Sequence, residues 1–122
     1  MNTFGKRIDP AVTSELRAAA ALEAAGRATE SFRHLERAHV LGQASTFQHV
    51  RVHVQMLLWA VRHRVLREAA GQVLRTVGAA TKTAIGLVPT GNTGGSNISP
   101  FRPLRIPADL QKVLDGAHTV RE

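Results

Sequence analysis

HLERAHVLGQASTFQHVRVH, residues 34–53, contains two helical segments and the turn that joins them. Gly42 ends the first segment, Ser45 or Thr46 can cap the second, and a connection this short makes the two helices antiparallel neighbours. At about 100° per residue, each side chain can be given a direction around its axis. On the first segment, extended back to Ala28, Glu30, Arg33, His34 and Arg37 share the side expected to meet solvent. The opposite side carries Ala28, Phe32, Leu35, Glu36 and His39, with His39 near its centre and Glu36 at its edge. On the second, Gln48, Arg51, Gln55 and Arg62 form a polar side, opposite Val50, His53, Met56, Leu57 and Ala60. His49 stands one turn before His53 and points in nearly the same direction. Two helical wheels therefore turn polar groups inward, and the turn puts His39 and His49 at one end of the hairpin.

A buried carboxylate or imidazole without a partner costs on the order of several kcal/mol in the worst case, so these groups must satisfy one another or an ion. The E-x-x-H spacing of Glu36 and His39 and the i, i+4 spacing of His49 and His53 each aim two side chains at one point. Glu36, His39, His49 and His53 are therefore the candidate ligands of a divalent transition metal. Three imidazoles, with Glu36 as fourth ligand or orienting acceptor, suit Zn²⁺, Co²⁺, Ni²⁺, Cu²⁺ or Fe²⁺. If one coordination position stays open to water, such a site could hydrolyse or oxidise a small substrate. His34 lies on the solvent side, His63 at least two turns beyond His53, and His118 near the C-terminal end, so none of them joins the group. Carboxylate-bridged di-iron bundles need two E-x-x-H motifs and further inward glutamates, and only ERAH is present.

Working outward, Asp9 followed by Pro10 reads as the N-cap and first turn of an alanine-rich helix that ends near Ala25, with Gly26 as a left-handed cap. The helix after Thr46 should run to about Arg64, and a fourth from about Leu66 to Ile85. The fold class expected is all-α: a four-helix antiparallel array of two helical hairpins, packed like tetratricopeptide units although no 34-residue repeat is found. Beyond Gly86, LVPTGNTGGSNISPFRPLRIP forbids a long helix. Its apolar Ile98, Phe101, Leu104 and Ile106 predict a tail that wraps back over the bundle before a short helix from Pro107 to about Leu114. The organisation expected is one domain over residues 1–122, with a helical core at 9–86, a wrapping tail at 87–106 and a short helix within 107–116. Glu23 falls on the side of Val12, Leu16 and Ala19 and is a candidate buried carboxylate. Glu68 and Gln72 lie opposite Ala70, Val73 and Val77 and are expected to face solvent unless the tail covers them.

Composition excludes several classes. The chain has no cysteine, which removes disulfides, thiolate metal sites and cysteine nucleophiles. No run of about 18 apolar residues is present, and MNTFGKRIDP lacks the apolar stretch of a secretory signal, so a cytoplasmic protein is the default. GNTGGSN has no Gly-Lys-Ser or Gly-Lys-Thr after it and no strand before it, so it is not a phosphate loop. A formal net charge of +7, mostly arginine, makes an anionic partner conceivable through Arg33, Arg37, Arg51, Arg62, Arg67 and Arg75. Sequence-specific DNA binding is not expected, because Gln48 and Arg51 stand where a helix–turn–helix needs apolar residues.

HLERAHVLGQ, HVRVH and the tail GNTGGSNISPFRPLRIPADL together resemble an uncharacterised bacterial family, domain of unknown function 3703, over nearly the whole chain. Relatives have an aromatic residue after HVRVH where this chain has Val54 and Gln55, which leaves the candidate ligands untouched. The resemblance carries no activity, but it implies an association with metal-resistance genes and so a part in metal homeostasis. The function expected is divalent metal binding between the second and third helices. The alternative is a metal-free helical adaptor for a protein or anionic partner, its polar cluster a hydrogen-bond network.

Overall fold

A computed structural model describes residues 2–84, 94 and 103–119. Five helices are formed: α1 (Thr3–Ala24), α2 (Ala28–Gly42), α3 (Thr46–Arg62), α4 (Leu66–Ala84) and α5 (Ala108–Thr119). No strand occurs among the described residues. α1 pairs with α2 and α3 with α4, so two helical hairpins lie side by side through α2 and α3, and α5 rests against α1 and α2.

α1 begins seven residues earlier than the Asp9-Pro10 pair suggests. Asn2 caps it instead, its Oδ1 accepting the Gly5 N–H at 2.7 Å. Phe4 and Ile8 continue the Val12 and Ala19 stripe at helical spacing and are buried with it. That burial offsets the backbone hydrogen bond that Pro10, lacking an N–H, cannot make inside the helix. Asp9 is used across the fold rather than as a cap, its Oδ1 accepting from Gln48 Nε2 at 2.7 Å and Arg51 Nη1 at 3.2 Å. Gln48 and Arg51 therefore face α1 and not solvent, and Gln48 is fully buried.

The turns follow the sequence closely. Gly26 has φ +77°, and the Arg27 N–H→Leu22 O and Gly26 N–H→Glu23 O bonds close the left-handed cap of α1. Ser45 caps α3 through the Gln48 N–H. Gly42 permits close approach of α2 and α3, since a Cβ there would meet Gln48 Cβ at 2.9 Å. α3 ends at Arg62, two residues short of expectation, and Arg64 takes a left-handed φ of 57° in the turn.

α5 closes the core with Leu110, Leu114 and Ala117, and Ile106 packs against the same cluster. Arg7 Nε donates to the Ala117 carbonyl at 2.5 Å, and Phe4 stacks on His118 with ring centroids 4.4 Å apart. Arg37 joins the elements, bonding Glu15 of α1 at 3.0 Å and Asp109 of α5. Most of the expected wrapping tail, including Ile98 and Phe101, lies outside the described residues.

α4 is turned the opposite way from its apolar pattern. Gln72 is fully buried, whereas Val73, Leu74 and Val77 are 51%, 77% and 69% exposed. The expected solvent side of this helix meets α3 and Gly94 of the tail.

Candidate metal centre

The C-terminal part of α2 and the N-terminal half of α3 bring three imidazoles to a point. His39 Nε2 lies 3.0 Å from His49 Nε2 and 3.1 Å from His53 Nε2. One potential ligand atom from each of the three residues lies within 4.8 Å of the others. The residues are 2%, 6% and 3% exposed, so the cluster is withdrawn from solvent. The His39 ring stands edge-on at 70° to both of the others, with centroids 4.8 and 4.7 Å away.

This spacing has a coordination meaning. Nitrogens about 2.0–2.1 Å from an ion are about 3.3–3.4 Å apart in a tetrahedron and about 2.9–3.0 Å apart at neighbouring corners of an octahedron. The separations of His39 Nε2 from the other two nitrogens fall between these limits, so these two pairs already stand at the spacing that a bound ion requires. Without an ion, three nitrogens that can each be hydrogen-free compete for whatever proton lies between them.

Behind His53 stands Gln72. His53 Nδ1 is 2.5 Å from Gln72 Oε1, and Gln72 Nε2 donates to Glu68 Oε1 at 2.7 Å and to the Gly94 carbonyl at 2.8 Å. Gly94 also covers His39: its φ is +81°, and a Cβ added there would lie 2.4 Å from His39 Cδ2. Any other residue at this position would collide with the imidazole. Gln72 and Gly94 were invisible as site residues in the sequence, although the four-residue spacing of Glu68 and Gln72 was a usable signal that they share one helical face.

Glu36 is not in the histidine group. It lines a cleft of about 200 Å³ between α2 and α5, beside Arg33, Arg37, Val40 and Leu110. The remaining histidines lie apart from the cluster. His34 Nδ1 is 2.6 Å from Glu15 Oε2, His63 Nε2 is 2.7 Å from Glu23 Oε2, and His118 stacks on Phe4. Glu23 is partly buried and receives both arms of Arg62 at 2.9 Å. The hydrogen bond from Arg62 holds the Glu23 carboxyl below the usual carboxylate range, against an opposing push from burial and with further help from His63. Three arginines of the expected basic face, Arg37, Arg51 and Arg62, are thus engaged by acidic partners within the fold.

Fold and site define an all-helical protein with a buried three-histidine cluster able to hold a metal ion. The chain belongs to the family described as protein of unknown function DUF3703, whose model matches residues 6–114. No curated protein and no solved structure matches it. No described helix is long and apolar enough to cross a membrane.

Proposed function

We propose that this protein binds one divalent transition-metal ion through Nε2 of His39, His49 and His53, and that it serves metal homeostasis or resistance. The observation that carries this reading is the approach of three buried imidazole nitrogens to about one bond's reach of a common point. Buried polar groups converge in this way only at a cost, and a dication is the partner that satisfies three lone pairs together. Zn²⁺, Co²⁺, Ni²⁺, Cu²⁺ and Fe²⁺ all accept imidazole, and the absence of thiolate disfavours Cu⁺. Glu36 stands outside the ligand set in this reading, because it lines the cleft against α5 and is not among the three clustered residues. The depth of the cluster supports retention of an ion over rapid exchange with bulk substrate.

Elemental analysis of tag-free protein, beside His39→Ala and His53→Ala, tests the proposal. About one equivalent of one metal in the parent, and a loss of it in variants that keep their helical circular dichroism, is expected. No uptake by the parent after incubation with each of the five ions would overturn it.

A further inference from the structure

We propose that Gln72 is the positioning residue of the histidine cluster: its carboxamide holds His53 as the Nδ1–H tautomer, so that a bare Nε2 faces the centre before any ion arrives. The proposal rests on the metal-binding reading for its purpose, but the tautomer it assigns is a property of the protein alone.

The assignment follows from the donors and acceptors around one side chain. A carboxamide has an oxygen that only accepts and a nitrogen that only donates. Gln72 Nε2 lies 2.7 Å from a carboxylate oxygen of Glu68 and 2.8 Å from the Gly94 carbonyl oxygen, two groups that accept. Both amide hydrogens are thereby used, and the amide cannot be turned over without setting its oxygen against two other oxygens. Oε1 is left facing His53 Nδ1 at 2.5 Å. Since Oε1 can only accept, Nδ1 must carry the hydrogen, and the neutral ring then has no hydrogen on Nε2. That is the nitrogen 3.1 Å from His39 Nε2.

In water, a neutral histidine side chain prefers the opposite tautomer, with hydrogen on Nε2. Left to itself, His53 would present an N–H to the centre, where an ion requires a lone pair. Gln72 removes that conflict in advance. Its own place is fixed by full burial on the inward side of α4 and by contacts to two elements, α3 through His53 and the tail through Gly94. A glutamate at this position would put a second carboxylate against Glu68 and the Gly94 carbonyl, which explains why an amide suits the site better than the acidic partner common behind metal-bound histidines.

Long-range ¹H–¹⁵N NMR on the tag-free, metal-free protein, at a pH where the imidazoles are neutral, reads the tautomer directly. His53 is identified by the signal lost in His53→Gln. The expected spectrum shows a protonated-type Nδ1 and an unprotonated-type Nε2 for His53. In Gln72→Leu the ring is expected to move toward the Nε2–H pattern, and zinc affinity to fall roughly 10–100-fold, while His34 and His63 keep their patterns. Gln72→Met gives the same readout if the leucine variant does not fold. An Nε2–H tautomer in the parent, or an unchanged tautomer in a folded Gln72 variant, overturns the proposal. The expected tautomer in a parent that takes up none of the five ions overturns the metal reading and leaves the positioning role intact.

Discussion

At the scale of single residues, the centre depends on Gly94 as much as on the imidazoles. Its left-handed φ of +81° and the 2.4 Å approach of an added Cβ to His39 mean that Gly94→Ala must move either the backbone or the ring. The expected result is weaker metal binding, by about 10-fold or more as for loss of an outer-shell partner, with helical content unchanged; isothermal titration with zinc and circular dichroism measure the two. The clustering of His39, His49 and His53 was legible in the sequence because 100° steps decide direction, and direction was all that it required. Glu36 was assigned to the same point on the same grounds, yet its place at the edge of the apolar side let it turn to the α2–α5 cleft. A wheel gives an angle and not the identity of the neighbour found there. Glu23 shows the same limit, being inward as expected but claimed by Arg62 and His63 from α3 and the turn after it. Because its folded pKa is lowered, its ion pairs contribute stability above the ordinary carboxylate pKa, and that contribution is lost as pH falls through the folded value. Glu23→Gln should therefore cost at most about 1 kcal/mol at neutral pH, as expected for a partly exposed pair, and nothing once the carboxyl is protonated. Denaturant midpoints of parent and variant across pH 3–7 would show the gap closing toward acid, roughly over the carboxylate range.

At the scale of elements, the ends of helices were easier to read than their faces. Gly26 was recognisable because a left-handed cap demands the residue without a Cβ, and Gly42 was read as the end of α2, which it is, whereas its close approach to α3 had no signature in the sequence. Gly26→Ala has open space around its new methyl, so only the backbone conformation resists it, and a loss of about 1 kcal/mol is expected in chemical denaturation. The start of α1 misled for a physical reason. Asp-Pro is a strong local start signal, but Asn2 caps the helix about two turns earlier, and the burial of Phe4 and Ile8 outweighs the missing Pro10 bond. Ile8 is fully buried, so Ile8→Ala should cost about 2–5 kcal/mol, far more than a frayed end would. On α4 the apolar pattern pointed outward-facing residues into the core. The three hydrogen bonds of Gln72 instead place the polar side inward and leave Val73, Leu74 and Val77 exposed, an arrangement that hydrophobic periodicity cannot anticipate.

At the scale of the whole molecule, two hairpins and a returning α5 were foreshadowed by short connections and by the apolar residues past Pro103. The partners were not, since long-range pairs such as Asp9 with Gln48, or Arg37 with Asp109, have no signature in local spacing. The metal reading has a consequence at this scale too. An ion that binds only the folded protein stabilises it by mass action, about 2.7 kcal/mol at 100-fold excess over Kd. For a chain of 122 residues this corresponds to a rise of about 10 °C in Tm. His53→Ala should abolish the rise, as differential scanning fluorimetry with and without zinc would show. X-ray absorption at the metal edge of tag-free, zinc-loaded protein addresses the centre most directly, because imidazole rings scatter in a recognisable way. The account predicts three imidazoles about 2.0–2.1 Å from the ion. An ion held by fewer than three, or chiefly by oxygen at the surface, would contradict it.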